Sequence, residues 1–100
     1  MSPQIPIDRE RIAEFCRRWK IAEFSLFGSV LRDDFRADSD VDVLVVFSPS
    51  ARRNLDDFEE MEEELEALFG RRVDIVQKNL VRNPFRRYHI LTNRQILYAA

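Results

Sequence analysis

Asp40 and Asp42 open an otherwise apolar run, Val41-Asp42-Val43-Leu44-Val45-Val46-Phe47. Alternate side chains of a β-strand share a face, so the two carboxylates leave one side together, ~6–7 Å apart along the strand. Ionised carboxylates are costly to desolvate unless paired or bound to a cation. Two on one face also repel, and a divalent cation relieves that repulsion. Hard ions such as Mg²⁺ take carboxylate oxygens and keep positions open for phosphate. Turn and capping chemistry accounts for Asp40 alone. It does not account for Asp42 inside an apolar run, nor for Asp74 in the middle of another, Val73-Asp74-Ile75-Val76. If the two strands lie side by side, Asp74 joins Asp40 and Asp42. Three such carboxylates can hold two metals ~3.5–4 Å apart, an arrangement used for phosphoryl and nucleotidyl transfer.

Gly28 and Ser29 supply the complement to the acids. Phe24 to Phe27 reads as a strand and Gly28-Ser29 as the turn into a short helix from Val30. Glycine lets backbone approach a ligand closely, and free N–H groups at a helix start bind anions. The chain therefore offers a phosphate cradle beside a candidate metal pair.

These residues need a frame. Asp8 to Lys20 predicts a helix, capped by Asp8, with Ile12, Phe15, Cys16 and Trp19 on its buried side. Ala22 to Phe27 is the first strand, and Val41 to Phe47 the central one, ended by Ser48-Pro49-Ser50. Asn54 caps a second long helix whose stripe is Leu55, Phe58, Met61, Leu65, Leu68 and Phe69, ended by Gly70 in a left-handed cap. Val73 to Val76 is the third strand. Pro84 starts a helix to about Leu91, and Gln95 to Ala99 is either a short edge strand or an ending that docks on a partner. The expected architecture is a single α/β domain over residues 1–100, with a mixed twisted sheet of about four strands and helices packed on one face.

Composition narrows the function. One hundred residues with 45% hydrophobic content suit one small domain with a real core. No run of about 18 apolar residues is present, so no membrane span is expected. The first residues lack a signal-peptide core, and the lone Cys16 fits a reducing cytoplasm; with no histidine nearby it is not read as a catalytic thiol. Net charge is −2, which argues against direct nucleic-acid binding. The charge is unevenly spread: Asp56 to Glu66 holds eight of the 18 acids and no base, leaving 16 bases and ten acids elsewhere. The acidic run reads best as a solvated helix face. For Arg82, Arg86 and Arg87, surface solubility and phosphate or partner contact both stand open. His89, the sole histidine, reads as a polar helix residue.

Gly28-Ser29, then Arg32, then Ser39-Asp40-Val41-Asp42 resembles the signature of the DNA polymerase β-like nucleotidyltransferase superfamily. With Asp74 and the chain length, it resembles the minimal nucleotidyltransferase (MNT) antitoxins that pair with HEPN-domain toxins. Leu31 stands where that family commonly has a small residue, and Asp33 where it commonly has glycine. The resemblance implies a nucleotidyltransferase palm in which Asp40, Asp42 and Asp74 are catalytic and bind Mg²⁺. It implies that Gly28, Ser29, Arg32 and Ser39 bind or orient the nucleotide, with Gly28 and Ser29 on the β/γ-phosphates. It implies ATP as donor and transfer of AMP to a tyrosine of a HEPN toxin, in a hetero-oligomer. Larger nucleotidyltransferases add a second domain that shapes the acceptor site; here the acceptor is expected to come from another molecule. Two alternatives remain: an antitoxin that acts only by binding and occlusion, and a transferase acting on a small molecule.

Overall fold

A computed structural model describes residues 5–32, 35, 36, 38–51 and 55–100, with Leu55 described by its backbone. The expectations for Asp33, for the Asn54 cap and for the Leu55 side chain lie outside the described residues. The order is α1 (Arg9–Trp19), β1 (Ile21–Phe27), a 3-10 turn (Gly28–Leu31), β2 (Val41–Phe47), α2 (Leu55–Phe69), β3 (Val73–Gln77), a second 3-10 turn (Lys78–Leu80), α3 (Pro84–Thr92) and β4 (Arg94–Ala99).

Local chemistry sets the boundaries. The Asp8 carboxylate accepts a hydrogen bond from Arg11 N–H at 3.2 Å and caps α1. Lys20, left-handed at φ 59°, closes it by donating to the carbonyls of Arg17 and Cys16. Gly70, at φ +71°, ends α2. Asn83 caps α3, its side chain accepting from the N–H groups of Phe85 and Arg86, with Pro84 at the first helical position.

The four strands form one mixed sheet in the order β3-β2-β1-β4. β1 runs antiparallel to both β2 and β4, whereas β2 and β3 are parallel. A parallel pair needs a crossover, which α2 supplies. The apolar ending is therefore an edge strand of the sheet.

Strand alternation separates the two faces. Val41, Val43 and Val45 of β2 belong to the main core with Phe24 and Leu26 of β1. On that face lie α1, through Ile12, Phe15 and Cys16, and α2, through Met61, Leu65 and Phe69. Phe15 meets Phe24 edge-on, with ring centroids 6.2 Å apart. Trp19 Nε1 donates to Glu64 at 3.2 Å and Arg18 pairs with the same carboxylate, joining α1 to α2. The two long helices thus form the expected helical layer. The shorter α3 adds a second, smaller cluster on the opposite face: Phe27, Leu44, Val81 and Ile90. Among the described residues no helix is long and apolar enough to cross a membrane.

Cys16 is fully buried. Burial pushes its thiol up to about 12, against a small opposing pull from Arg17. In the folded chain it should resist Ellman's reagent at pH 8 and react only on unfolding. The unfolded thiol ionises at its ordinary value while the folded one stays neutral. Stability should therefore be unaffected by this group below about pH 9 and fall as pH rises from there towards 12, as read by denaturant titration.

Candidate active site

Backbone register places the acids. Asp42 of β2 lies directly beside Asp74 of β3, and paired residues of adjacent strands share a face. It is the face of Leu44 and Phe27, opposite the helical layer. The entrance to β2 is held to β3 by Val41 N–H donating to Arg72 carbonyl at 2.9 Å. On the α2 side, Glu66 accepts from Val73 N–H at 3.3 Å and fixes the start of β3. Asp40 and Asp74 are exposed, and Asp42 is half-buried. Burial raises the Asp42 carboxyl above the ordinary carboxylate value, and the charges of Asp74 and then Asp40 raise it further; Arg32 and Arg86 pull it back.

The preceding loop is tied down by side chains. Ser39 Oγ accepts from Arg36 N–H at 3.0 Å, and Ser39 N–H donates to Arg36 carbonyl at 3.1 Å. The Ser39 hydroxyl thus orders the turn before Asp40. Arg71 stacks on Phe35, 4.3 Å from the ring centroid, and donates to Arg36 carbonyl at 2.6 Å.

Gly28 lies directly against Asp42. Its neighbour Phe27 is the strand partner of Asp42. Gly28 sits at φ +77°, and a Cβ there would lie 2.4 Å from Asp42 Oδ2. Glycine is needed for the left-handed backbone and for the carboxylate that fills the side-chain space. This adds a second reason for glycine to the phosphate approach expected from sequence. Ser29 follows in the turn, and its carbonyl accepts from Arg32 N–H at 2.9 Å.

Beside the turn lies a cleft of about 320 Å³. Gly28, Leu31 and Arg32 form one wall; Arg86, His89 and Asn93, from α3 and the residue after it, form the other. The sequence left Arg86 open between surface solubility and phosphate or partner contact, and read His89 as a polar helix residue. Their i, i+3 spacing puts them on one side of a helix, but only the tertiary fold brings that side over Gly28.

Among the described residues no three His, Cys, Asp or Glu side chains are drawn together into a ready metal cage. The donor set nonetheless fits a hard divalent cation: oxygen donors at one end of the sheet, with repulsion that already perturbs Asp42.

A family model for the nucleotidyltransferase domain matches residues 9–97, and the chain belongs to that family. It is 43% identical over 72 residues to protein adenylyltransferase MntA of Thermococcus cleftensis, covering 70% of this chain and 69% of that one. A solved structure assigned as a minimal nucleotidyltransferase is 37% identical, with a TM-score of 0.69 over 87% of this chain and 86% of that one. Two solved toxin–antitoxin complexes share the fold. One, with AMP-PNP, gives a TM-score of 0.72 at 19% identity, covering 94% of this chain and 75% of that chain. The other, tri-AMPylated Shewanella oneidensis HEPN toxin with MNT antitoxin, gives 0.64 at 18%, covering 92% and 70%.

Two predictions follow from the carboxylates and their glycine. Gly28→Ala should lose about 1–2 kcal/mol to left-handed backbone plus the cost of displacing Asp42. Gly70→Ala, at a similar φ but with nothing within 4 Å, should lose only the backbone part. In thermal melts, adding Asp42→Ala should recover part of the Gly28→Ala loss, whereas additive effects would deny the contact. Asp42→Asn should raise the melting temperature of the metal-free protein at pH 7. A raised carboxyl pKa adds stability at acid pH that is lost as pH climbs through the folded value. The parent should therefore gain stability on acidification from neutral pH, and Asp42→Asn should remove that part of the gain.

Proposed function

We propose that this chain is a Mg²⁺-dependent nucleotidyltransferase that moves AMP from ATP to a tyrosine of a HEPN-domain protein, and that this modification neutralises the partner as a toxin. The observation that carries the reading is Asp42, paired with Asp74 and set against Gly28, whose turn lines a cleft with arginines in its walls. Family membership supports transfer of a nucleotide. The adenylyltransferase relative and the complex with an AMPylated HEPN toxin support the acceptor.

In this reading Asp40, Asp42 and Asp74 hold the metal. Bound Mg²⁺ would offset charge on the triphosphate and lower the pKa of the attacking hydroxyl. Gly28 and Ser29 take the β/γ-phosphates, and Arg32 faces the same anion from the cleft. Ser39 keeps Asp40 in place through the turn. Asp74, exposed at the edge strand, accepts the proton of the tyrosine hydroxyl. The tyrosine oxygen bonds to the α-phosphorus, the bond to the β-phosphate oxygen breaks, and pyrophosphate leaves. A protein acceptor is favoured by the surface next to the cleft, where Phe85 is 85% and Tyr88 70% exposed on α3. That same surface favours the second reading, neutralisation by contact alone.

Incubation with the HEPN-domain partner and Mg-ATP, followed by intact-mass spectrometry, separates the two. The transfer reading expects the partner to gain AMP at substoichiometric enzyme, with Asp40→Ala/Asp42→Ala losing activity by at least about a hundredfold. A partner left unmodified, yet neutralised equally by parent and double variant, would establish occlusion instead.

A further inference from the structure

The arginines of the C-terminal third do different work. Arg87 donates to the carbonyls of Lys78 at 2.7 Å and Val81 at 3.4 Å, closing the turn before α3. Arg94 pairs with Glu23, which also faces Lys78 at 3.9 Å. Arg86, next to Arg87, turns the other way and lines the cleft with Gly28 and Arg32. Among the described residues its guanidinium has neither a hydrogen bond nor an ion-pair partner, although its charge is felt at Asp42. No acid lies nearby in sequence either: from Ile75 to Ala100 there are five bases and no acid.

We propose that Arg86 is a phosphate-binding residue of the donor site, gripping the triphosphate from α3 across the cleft from Gly28 and Ser29. The inference rests on the donor reading above and deepens it. A guanidinium over a cleft, with no partner among the described residues, is suited to an anion that arrives with the ligand. Its planar fork matches two phosphate oxygens at once. In ATP the anionic groups are the phosphates. With Gly28 on one wall and Arg86 on the other, the phosphate chain would be held from both sides before the acids act on it. The cation also offsets the repulsion a polyanion meets from three carboxylates.

The test is calorimetry of parent and variants with Mg-ATP and with Mg-tripolyphosphate, which has the phosphate chain and no nucleoside. Arg86→Ala should weaken both ligands about ten- to a hundredfold with its melting temperature unchanged. Arg86→Lys, which keeps the charge but not the fork, should recover part of the loss. Arg87→Ala should melt earlier and bind as the parent does. If Arg86→Ala binds Mg-ATP like the parent, the assignment is overturned and the donor reading stands. It is likewise overturned if only Mg-ATP is weakened, which would put the contact on the nucleoside, or if Arg86→Lys loses as much as Arg86→Ala. A parent that binds neither ligand would refute the donor reading itself.

Discussion

The Asp42 carboxylate occupies the space where residue 28 would carry a side chain, and the arrangement of the site follows from that contact. Asp42 is fixed from both sides. Antiparallel pairing with Phe27 sets it against the Gly28–Leu31 turn; parallel pairing sets it beside Asp74. Both require β2 to be an interior strand flanked by β1 and β3. An interior strand is normally apolar on both faces when both are covered. Here the fold grants that on one face only, where Val41, Val43 and Val45 are fully buried. The other face has Leu44 under α3 and leaves Asp42 at the open end.

Such a site is a local liability held in place by a core elsewhere. Burial first, and then the like charges of Asp74 and Asp40, raise the Asp42 carboxyl, so the ionised site opposes folding when no cation is bound. The main core can carry this, since truncating a single buried Leu to Ala typically costs about 2–5 kcal/mol. Local rules broken at one end of a strand and obeyed along the rest of it are the pattern expected of a functional site.

Much of this was legible in sequence because periodicity reports faces directly. Val41–Phe47 is the strand expected, and Asp8, Gly70 and Pro84 mark helix ends where their chemistry says they should. Asp42 and Asp74 could be read as partners because both interrupt apolar runs. The rest depended on strand order, on which a single sequence is silent. With β4 beside β1 rather than β3, the connection through α3 passes over the acid-bearing face and brings Arg86 and His89 to the cleft. The collision that forbids a side chain at residue 28 is also tertiary; glycine in a turn advertises a positive φ, not the neighbour filling the space. Arg86 and Arg87 looked alike because adjacent helical residues point about 100° apart, and only the surroundings decide which one caps carbonyls and which faces the cleft.

The acidic helix bears on the site too. Glu64 and Glu66 are structural, binding Trp19 with Arg18 and the start of β3. Glu62 has its carboxyl raised by burial first and then by Glu66, Asp74 and Glu59, so negative charge from α2 reaches the β3 side of the acids. Arg32 and Arg86 stand on the other side, in the cleft walls. The two flanks of Asp42 therefore differ in sign. That asymmetry gives the proposed reaction a direction. In that proposal the polyanionic donor would be held at the cationic flank, leaving the carboxylate flank for a neutral hydroxyl, which would suffer no repulsion on approach and would meet in Asp74 an acceptor for its proton. A tyrosine satisfies that condition; an anionic acceptor would meet both the acids and the incoming phosphates.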